Sequence, residues 1–315
     1  MWKISSGIFM GWSLGANDSA NIFGTAVATG VVKYRVAICL TALFVMVGAI
    51  IEGPKCMATV GGVSTLSPLD AFWCTLATAI TIAFLTYLAI PASTSQGIIG
   101  AVIGAGIISG TADFSKLYKI VVCWIFTPIA GCVISVILYR FIGHIMKTKK
   151  VGIARKNFCL ATGLIISGCY GAYCLGSNNV ANVTGVYVSS GMISAEVAAL
   201  VGGVSIASGV LTYSKKVMMT VGKGIVPLDP LSAFITMLSE AISLHVFTQL
   251  GVPVSSSQAI VGAVVGIGYA GDSRTVSRKM LVKVGLGWLA TPVLAGVLSF
   301  IFIKGLGTIL LNFGL

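Results

Sequence analysis

Gly15-Ala-Asn-Asp-Ser-Ala-Asn21 and its echo Gly176-Ser-Asn-Asn-Val-Ala-Asn182 each set three amide or carboxylate side chains into otherwise apolar sequence. Asp18 is the only charge between Lys3 and Lys33. At the centre of a bilayer an ionised Asp costs about 2.5–3.5 kcal/mol on insertion scales. A chain that carries such a group needs a partner for it, and a small ion is the simplest one. The two stretches are read as the halves of one ion and substrate site.

The membrane assignment follows from composition. Of 315 residues, 57% are hydrophobic and 9% charged, against about 25% charged in soluble domains. The 39 glycines suit close helix packing and helix breaks within lipid. A net charge of +12 raises the question of nucleic acid, but no basic run with interleaved aromatics is present. The basic residues sit in loops, where they set orientation. Eight cysteines lie scattered through apolar segments without a CxxC pair, and His144 and His245 stand outside any motif. No cofactor is expected. The N-terminal apolar stretch has no cleavage-type site and is expected to remain in the mature protein. HExxH and P-loop lysine motifs are absent, so an intramembrane enzyme is the weakest reading.

The chain repeats itself. Residues 15–37 match 176–198 at an offset of 161, and Lys55-Cys-Met-Ala-Thr-Val-Gly61 matches Lys216-Val-Met-Met-Thr-Val-Gly222 at the same offset. Ile90-Pro-Ala-Ser-Thr-Ser-Gln96 matches Val252-Pro-Val-Ser-Ser-Ser-Gln258 at 162, and Trp124-Ile-Phe-Thr-Pro-Ile matches Trp288-Leu-Ala-Thr-Pro-Val at 164. Four blocks in one order define two transmembrane repeats, 1–148 and 149–315, joined by the basic linker around Arg140 to Lys156. Each half holds about five apolar segments: 4–30 (interrupted at the Asn/Asp motif), 36–51, 71–90, 94–110 and 117–142, then 157–190, 195–212, 231–251, 257–271 and 280–303. Segments 94–110 and 257–271 are short of the roughly 20 residues a span needs. They read as half-helices or re-entrant hairpins.

Five is odd, so the second half enters the membrane upside down. With the linker in the cytoplasm, 15 Lys and Arg fall inside and 5 outside. The loop with Lys33 and Arg35 is replaced in the second half by one with Glu196 and no Lys or Arg, as inversion requires. Both termini are then outside. The compact loops point to a bacterial or archaeal inner membrane.

Inverted repeats with interrupted helices mark secondary transporters, with the site near the midplane where the breaks meet. At the first motif pair, unwound backbone and the side chains of Asn17, Asp18, Asn21, Asn178, Asn179 and Asn182 would offer hard oxygens. These suit Na⁺, with Asp18, Asn17 and Asn178 as its ligands, or a proton on Asp18; helix–helix hydrogen bonding by the Asn residues is the plainer alternative. At the second pair, proline ends one segment and Ser or Thr caps the next. Ser93, Thr94, Ser95 and Gln96, with Ser255, Ser256, Ser257 and Gln258, would then surround a tetrahedral oxyanion with helix-end donors. Ordinary capping is the alternative there. Glu240 lies in an apolar segment and fits either burial in the site or an interfacial position, whereas Glu52 and Asp70 flank segment ends.

At these residues the chain resembles the inorganic phosphate transporter (PiT) family. That family duplicates a signature Gly-Ala-Asn-Asp-x-Ala-Asn and follows it in each half with Pro-x-Ser-x-x-His/Gln. The matches are Gly15 to Asn21, Gly176 to Asn182, Pro91 to Gln96 and Pro253 to Gln258, and the likeness covers essentially the whole chain. It implies uptake of inorganic phosphate driven by Na⁺ or H⁺, with phosphate at the hairpin motifs and cations near the Asn/Asp motifs. Three departures stand out. Asn179 replaces the second Asp, Gln96 and Gln258 replace a common His, and Met237 stands where many relatives carry Glu, with Glu240 one turn on. Some distant members carry sulfate.

The expectation is therefore an all-α polytopic membrane protein of two inverted repeats with broken helices or hairpins at the midplane. It would take up phosphate by symport with Na⁺, or with H⁺, through alternating access. Its partners would be phosphate, a coupling cation and the lipid bilayer, with a homo-oligomer compatible and nucleic acid not. A sulfate permease on the same fold and a passive anion channel are the rivals.

Overall fold

In lipid every backbone N–H and C=O must find a partner within the chain, so apolar segments of this kind become helices. The computed structural model describes all residues except 1, 89, 91, 149–151, 225–227, 272–277 and 308–315. Pro91, Lys149, Lys150 and Arg274 therefore lie outside the described residues, as do the side chains of Lys147, Lys223, Arg278, Lys279 and Lys283.

Helices occupy almost all of the rest, and no strand occurs among the described residues. The first half holds α1 (Ser5–Ala28), α2 (Tyr34–Glu52), α3 (Pro54–Gly61), α4 (Pro68–Tyr87), α5 (Thr94–Ser109) and α6 (Phe114–Thr148). The second holds α7 (Ile153–Ser189), α8 (Ala195–Tyr213), α9 (Lys215–Gly224), α10 (Pro230–Gln249), α11 (Ser256–Ala270) and α12 (Arg278–Ile301). Seven of these are long and apolar enough to cross a membrane: α2, α4, α6, α7, α8, α10 and α12. The protein is an all-α, multi-pass membrane protein.

Two expectations need correction. The Asn/Asp motifs were expected to interrupt their helices, yet α1 runs unbroken for 24 residues and α7 for 37. The motif side chains bond to other elements instead of competing for their own backbone, so the helical ladder stays closed. The short helices α3 and α9 were not expected as elements, although their sequences form one of the repeated blocks.

The breaks occur where Ser and Pro predict them. α4 and α5 form an antiparallel hairpin, with Cys74 Sγ 3.5 Å from the Ala101 carbonyl and Gly97 packed on Thr78. The two arms are joined between Tyr87 and Thr94; α10 and α11 make the matching pair with their turn around 250–255. At 16 and 15 residues, α5 and α11 reach about 22–24 Å, short of the roughly 30 Å hydrocarbon core.

The halves interlock by exchanging equivalent contacts. A Cβ built on Gly15 would fall 1.9 Å from the Ile206 carbonyl oxygen, and one on Gly176 would fall 2.0 Å from that of Val45. Likewise Gly209 meets the Trp12 carbonyl and Gly48 that of Tyr173. All four pairs are related by the sequence offset of 161. α1 and α7 run antiparallel, with Gly7 against Val183 and Tyr187 while Gly168 meets Phe23. Around them, α5 packs on α12 and α6 on α11, again as equivalent pairs.

Candidate functional site

A broken helix leaves amides and carbonyls without ladder partners, and in lipid these must be met. Asn17 does this for the first hairpin. Its Nδ2 donates to Thr86 Oγ1 at 2.8 Å and to the Ile90 carbonyl at 3.3 Å, while its Oδ1 accepts from Ala92 N–H at 3.1 Å. Asn178 repeats the clip on the second hairpin, with Thr248 Oγ1 at 3.0 Å, the Val252 carbonyl at 3.2 Å and Val254 N–H at 2.8 Å. These two residues, read from sequence as cation ligands, have their amides engaged in holding the hairpin turns. Thr86 and Thr248 were missed, although the offset of 162 aligns them in the sequence. Asn17→Ala should destabilise the protein by about 2–3 kcal/mol, since it leaves the Ile90 carbonyl and Ala92 N–H unmet. Thermal unfolding in detergent checks this, and Asn178→Ala should match it.

With the turns fixed, the ends of α5 and α11 face each other. Ser93 caps α5, its Oγ accepting from Gln96 N–H at 3.4 Å, and Ser255 caps α11 through Gln258 N–H at 3.3 Å. The first amides of both helices are left at open N-termini. The Ser95 hydroxyl lies 2.8 Å from the Val254 carbonyl, joining one turn to the other.

The rest of the Asn/Asp motifs close around these ends, and they cross between halves. Thr94 Oγ1 donates to Asp18 Oδ2 at 2.9 Å. Asn21 Nδ2 donates to Ser256 Oγ at 3.0 Å. Asn182 Nδ2 donates to both Ser95 Oγ and Asn179 Oδ1 at 2.9 Å, and Ser95 Oγ stands 3.3 Å from Asn179 Oδ1. Ser257 lies 2.9 Å from Ser255. Every side chain proposed from sequence is buried here, with Gln96 the most exposed at 6%.

Burial is not matched by satisfaction. Asp18 Oδ1, Asn179 Nδ2, Asn182 Oδ1, Gln96 Oε1 and Gln258 Oε1 are buried without a hydrogen-bond partner. So is Glu240 Oε1, on a fully buried side chain of α10. Each such atom costs about 1–3 kcal/mol if it stays unmet. The amides at the open helix ends are donors, whereas five of these six unmet atoms, on α1, α5, α7, α10 and α11, are acceptors and only Asn179 Nδ2 is a donor, so the amides suit an anion and the acceptors a cation. Glu240, open in sequence between site and interface, is buried on α10, which packs against α1 and α11.

Glu52, by contrast, joins a polar cluster at the end of α2. Its Oε1 takes Lys55 Nζ at 2.7 Å and Gln249 Nε2 at 2.9 Å, and its Oε2 lies 3.2 Å from His245 Nε2. The Tyr170 hydroxyl is 2.6 Å from His245 Nδ1. Lys55 reaches Gln249 Oε1 at 2.8 Å, and the equivalent Lys216 reaches the Tyr87 carbonyl at 2.7 Å, so each lysine ties down the other half's hairpin at corresponding positions. Asp70 pairs with Ser67 in a capping box at the start of α4.

Comparison with known proteins agrees with this architecture. The Phosphate transporter family matches residues 14–299. A candidate phosphate permease of Methanocaldococcus jannaschii is 32% identical over 291 residues, covering 91% of each chain. The sulfate permease CysP of Bacillus subtilis is 27% identical over 307 residues, covering 94% of this chain and 85% of that one. A solved structure described as the sodium-dependent phosphate transporter superposes with a TM-score of 0.84 at 22% identity, covering 98% of each chain, and so shares the fold. By the extent of the family match and the identity to the archaeal relative, the chain belongs to the Phosphate transporter family, a family of transporters and not of enzymes.

Proposed function

We propose that this protein takes up inorganic phosphate by symport with Na⁺ through alternating access. The observation that carries the reading is the group of unmet buried polar atoms around two facing helix N-termini. Phosphate would sit between Ser93–Gln96 and Ser255–Gln258, held by amides and hydroxyls without Arg or Lys. Asp18 would bind the cation, with Asn21, Asn179 and Asn182 supplying further oxygens or hydrogen bonds. Asn17 and Asn178 would act mainly through the hairpin turns. The site offers amides, hydroxyls and carboxylates and no His, which favours Na⁺ over a proton. Coupling follows from charge: the anion and Asp18 tolerate each other in a dry site only when cations accompany them. The two halves are taken as inverted in the membrane of the cell, with both termini outside and the linker in the cytoplasm.

Radiolabelled phosphate uptake into proteoliposomes tests this. An inward Na⁺ gradient should raise initial uptake at least tenfold over a Na⁺-free control, and a proton gradient alone should not. Uptake indifferent to both gradients removes the symport reading. Sulfate is the second reading, favoured by the Bacillus subtilis relative. Phosphate keeps a proton that can be donated to a carboxylate such as Asp18, and sulfate has none. A tenfold excess of unlabelled sulfate should therefore leave phosphate uptake largely intact; strong competition would favour the oxyanion in general.

A further inference from the structure

One repeated block, Trp124-Ile-Phe-Thr-Pro-Ile and Trp288-Leu-Ala-Thr-Pro-Val, has no part in the site as described so far. Both tryptophans stand beside the second arm of their own half's hairpin. Trp124 lines an apolar groove with Ile99, Gly100 and Pro292, and Trp288 lines one with Val261, Gly262 and Pro128. The offsets of 162 and 164 turn one groove into the other, so the two surroundings are equivalent.

The hydrogen bonds are not equivalent. Trp288 Nε1 donates to Ser257 Oγ at 3.2 Å. Trp124 Nε1 is buried, with 9% of the residue exposed, and has no partner among the described residues. Its counterpart acceptor exists: Ser95 occupies in α5 the place of Ser257 in α11. Ser95 instead lies 2.8 Å from the Val254 carbonyl of the other hairpin and takes the Asn182 amide. The mirror contact, Ser257 to the Ala92 carbonyl, is not made; Ser257 stays with Trp288 and Ser255. One half therefore shows a serine held by its tryptophan, and the other shows a serine released and crossed over. Nearly the same residues are available to both halves, so the roles can be exchanged, and in an inverted repeat that exchange turns a site facing one way into a site facing the other.

We propose that Trp124 and Trp288 are alternating positioning residues: each anchors the hairpin serine of its own half, Ser95 or Ser257, in one access state and releases it to the opposite hairpin in the other. This rests on transport by alternating access as read above. Neither tryptophan touches the transported ions; each acts through its serine.

Trp124→Phe and Trp288→Phe keep an aromatic ring in each groove, smaller by part of the indole, and remove the N–H donor. Removing the Trp288 donor should depopulate the state described here, and removing the Trp124 donor should depopulate its opposite. Apparent affinity scales with the fraction of protein in the competent state. The phosphate KM should therefore be measured separately at the face bearing Lys55 and the face bearing Lys216. The two variants should shift the ratio of these values about three- to tenfold in opposite directions, and the double variant should bring the ratio back toward wild type. Shifts in the same direction, or no shift with uptake intact, overturn the proposal and leave symport standing; wild-type protein that takes up no phosphate sinks the underlying reading instead. A second measurement needs no variant in the transport assay. In chain labelled with 5-fluorotryptophan, the ¹⁹F signals of Trp124 and Trp288 should respond oppositely to phosphate with Na⁺. A response in the same sense overturns the exchange.

Discussion

Asp18→Asn should lower Na⁺-driven phosphate uptake at least about 100-fold while leaving the helices assembled. The amide is nearly isosteric, and its Oδ1 can still accept from Thr94, which lies 2.9 Å from the carboxylate in the native chain. What is lost is charge. Asp18 is 1% exposed and its Oδ1 has no partner, so on the proposed reading this carboxylate holds the coupling cation at the facing helix ends. A hundredfold loss corresponds to about 2.7 kcal/mol, within the range for removing one member of a desolvated charge pair. The second half supplies no replacement, because the equivalent residue is Asn179. Glu240 is the other buried carboxylate among the described residues, and Asp18→Asn separates the two. If Glu240 alone binds the coupling ion, uptake keeps its Na⁺ dependence and this assignment to Asp18 fails. Initial rates across a series of Na⁺ concentrations, with folding followed by size-exclusion chromatography, decide the matter.

The internal repeat made much of this architecture legible. An offset of 161–162 pairs Asn17 with Asn178, Ser95 with Ser257 and Thr86 with Thr248. The first pair clips the two hairpins through the same set of bonds. The position of the breaks was legible too, because a Ser cap after Pro admits few other readings. The continuity of α1 and α7 was not. A run of Asn and Asp reports that polar atoms are present and says nothing of where their partners lie. Here the partners for Asn17 and Asn178 are the turns of the hairpins some 70 residues downstream, so the helices carrying them stay whole. Glu240 was ambiguous for the same reason: only its burial on α10 separates an inward position from an interfacial one. The Trp124 and Trp288 blocks stood out as repeats, but the difference between them lies in hydrogen bonding, which two nearly identical sequences do not encode.

Gly15→Ala carries the largest expected cost to stability. The nearest atom to the new methyl would be the Ile206 carbonyl oxygen at 1.9 Å, with the Ile206 carbonyl carbon at 2.8 Å. Both belong to helix backbone, so no side-chain rotation relieves the clash. α1 and α8 must separate, and the move propagates directly to Asn17 and Asp18, within one turn of the crossing. Small residues at such crossings let membrane helices approach closely, and association there depends on that packing. Overpacking of this severity belongs at or above the upper end of the usual 1–3 kcal/mol, so a loss of about 3 kcal/mol or more is expected. Gly176→Ala should cost the same, since its methyl would meet the Val45 carbonyl oxygen at 2.0 Å across the equivalent crossing of α7 and α2. Gly143→Ala is the control: it lies in α6 with nothing within 4 Å of the new methyl, and better helix propensity should make it neutral or slightly stabilising. Thermal unfolding of the three variants in detergent gives the comparison. If Gly15→Ala and Gly176→Ala unfold with Gly143→Ala and the parent, the close crossings do not hold the two halves together, and the exchange of contacts between repeats loses its energetic basis.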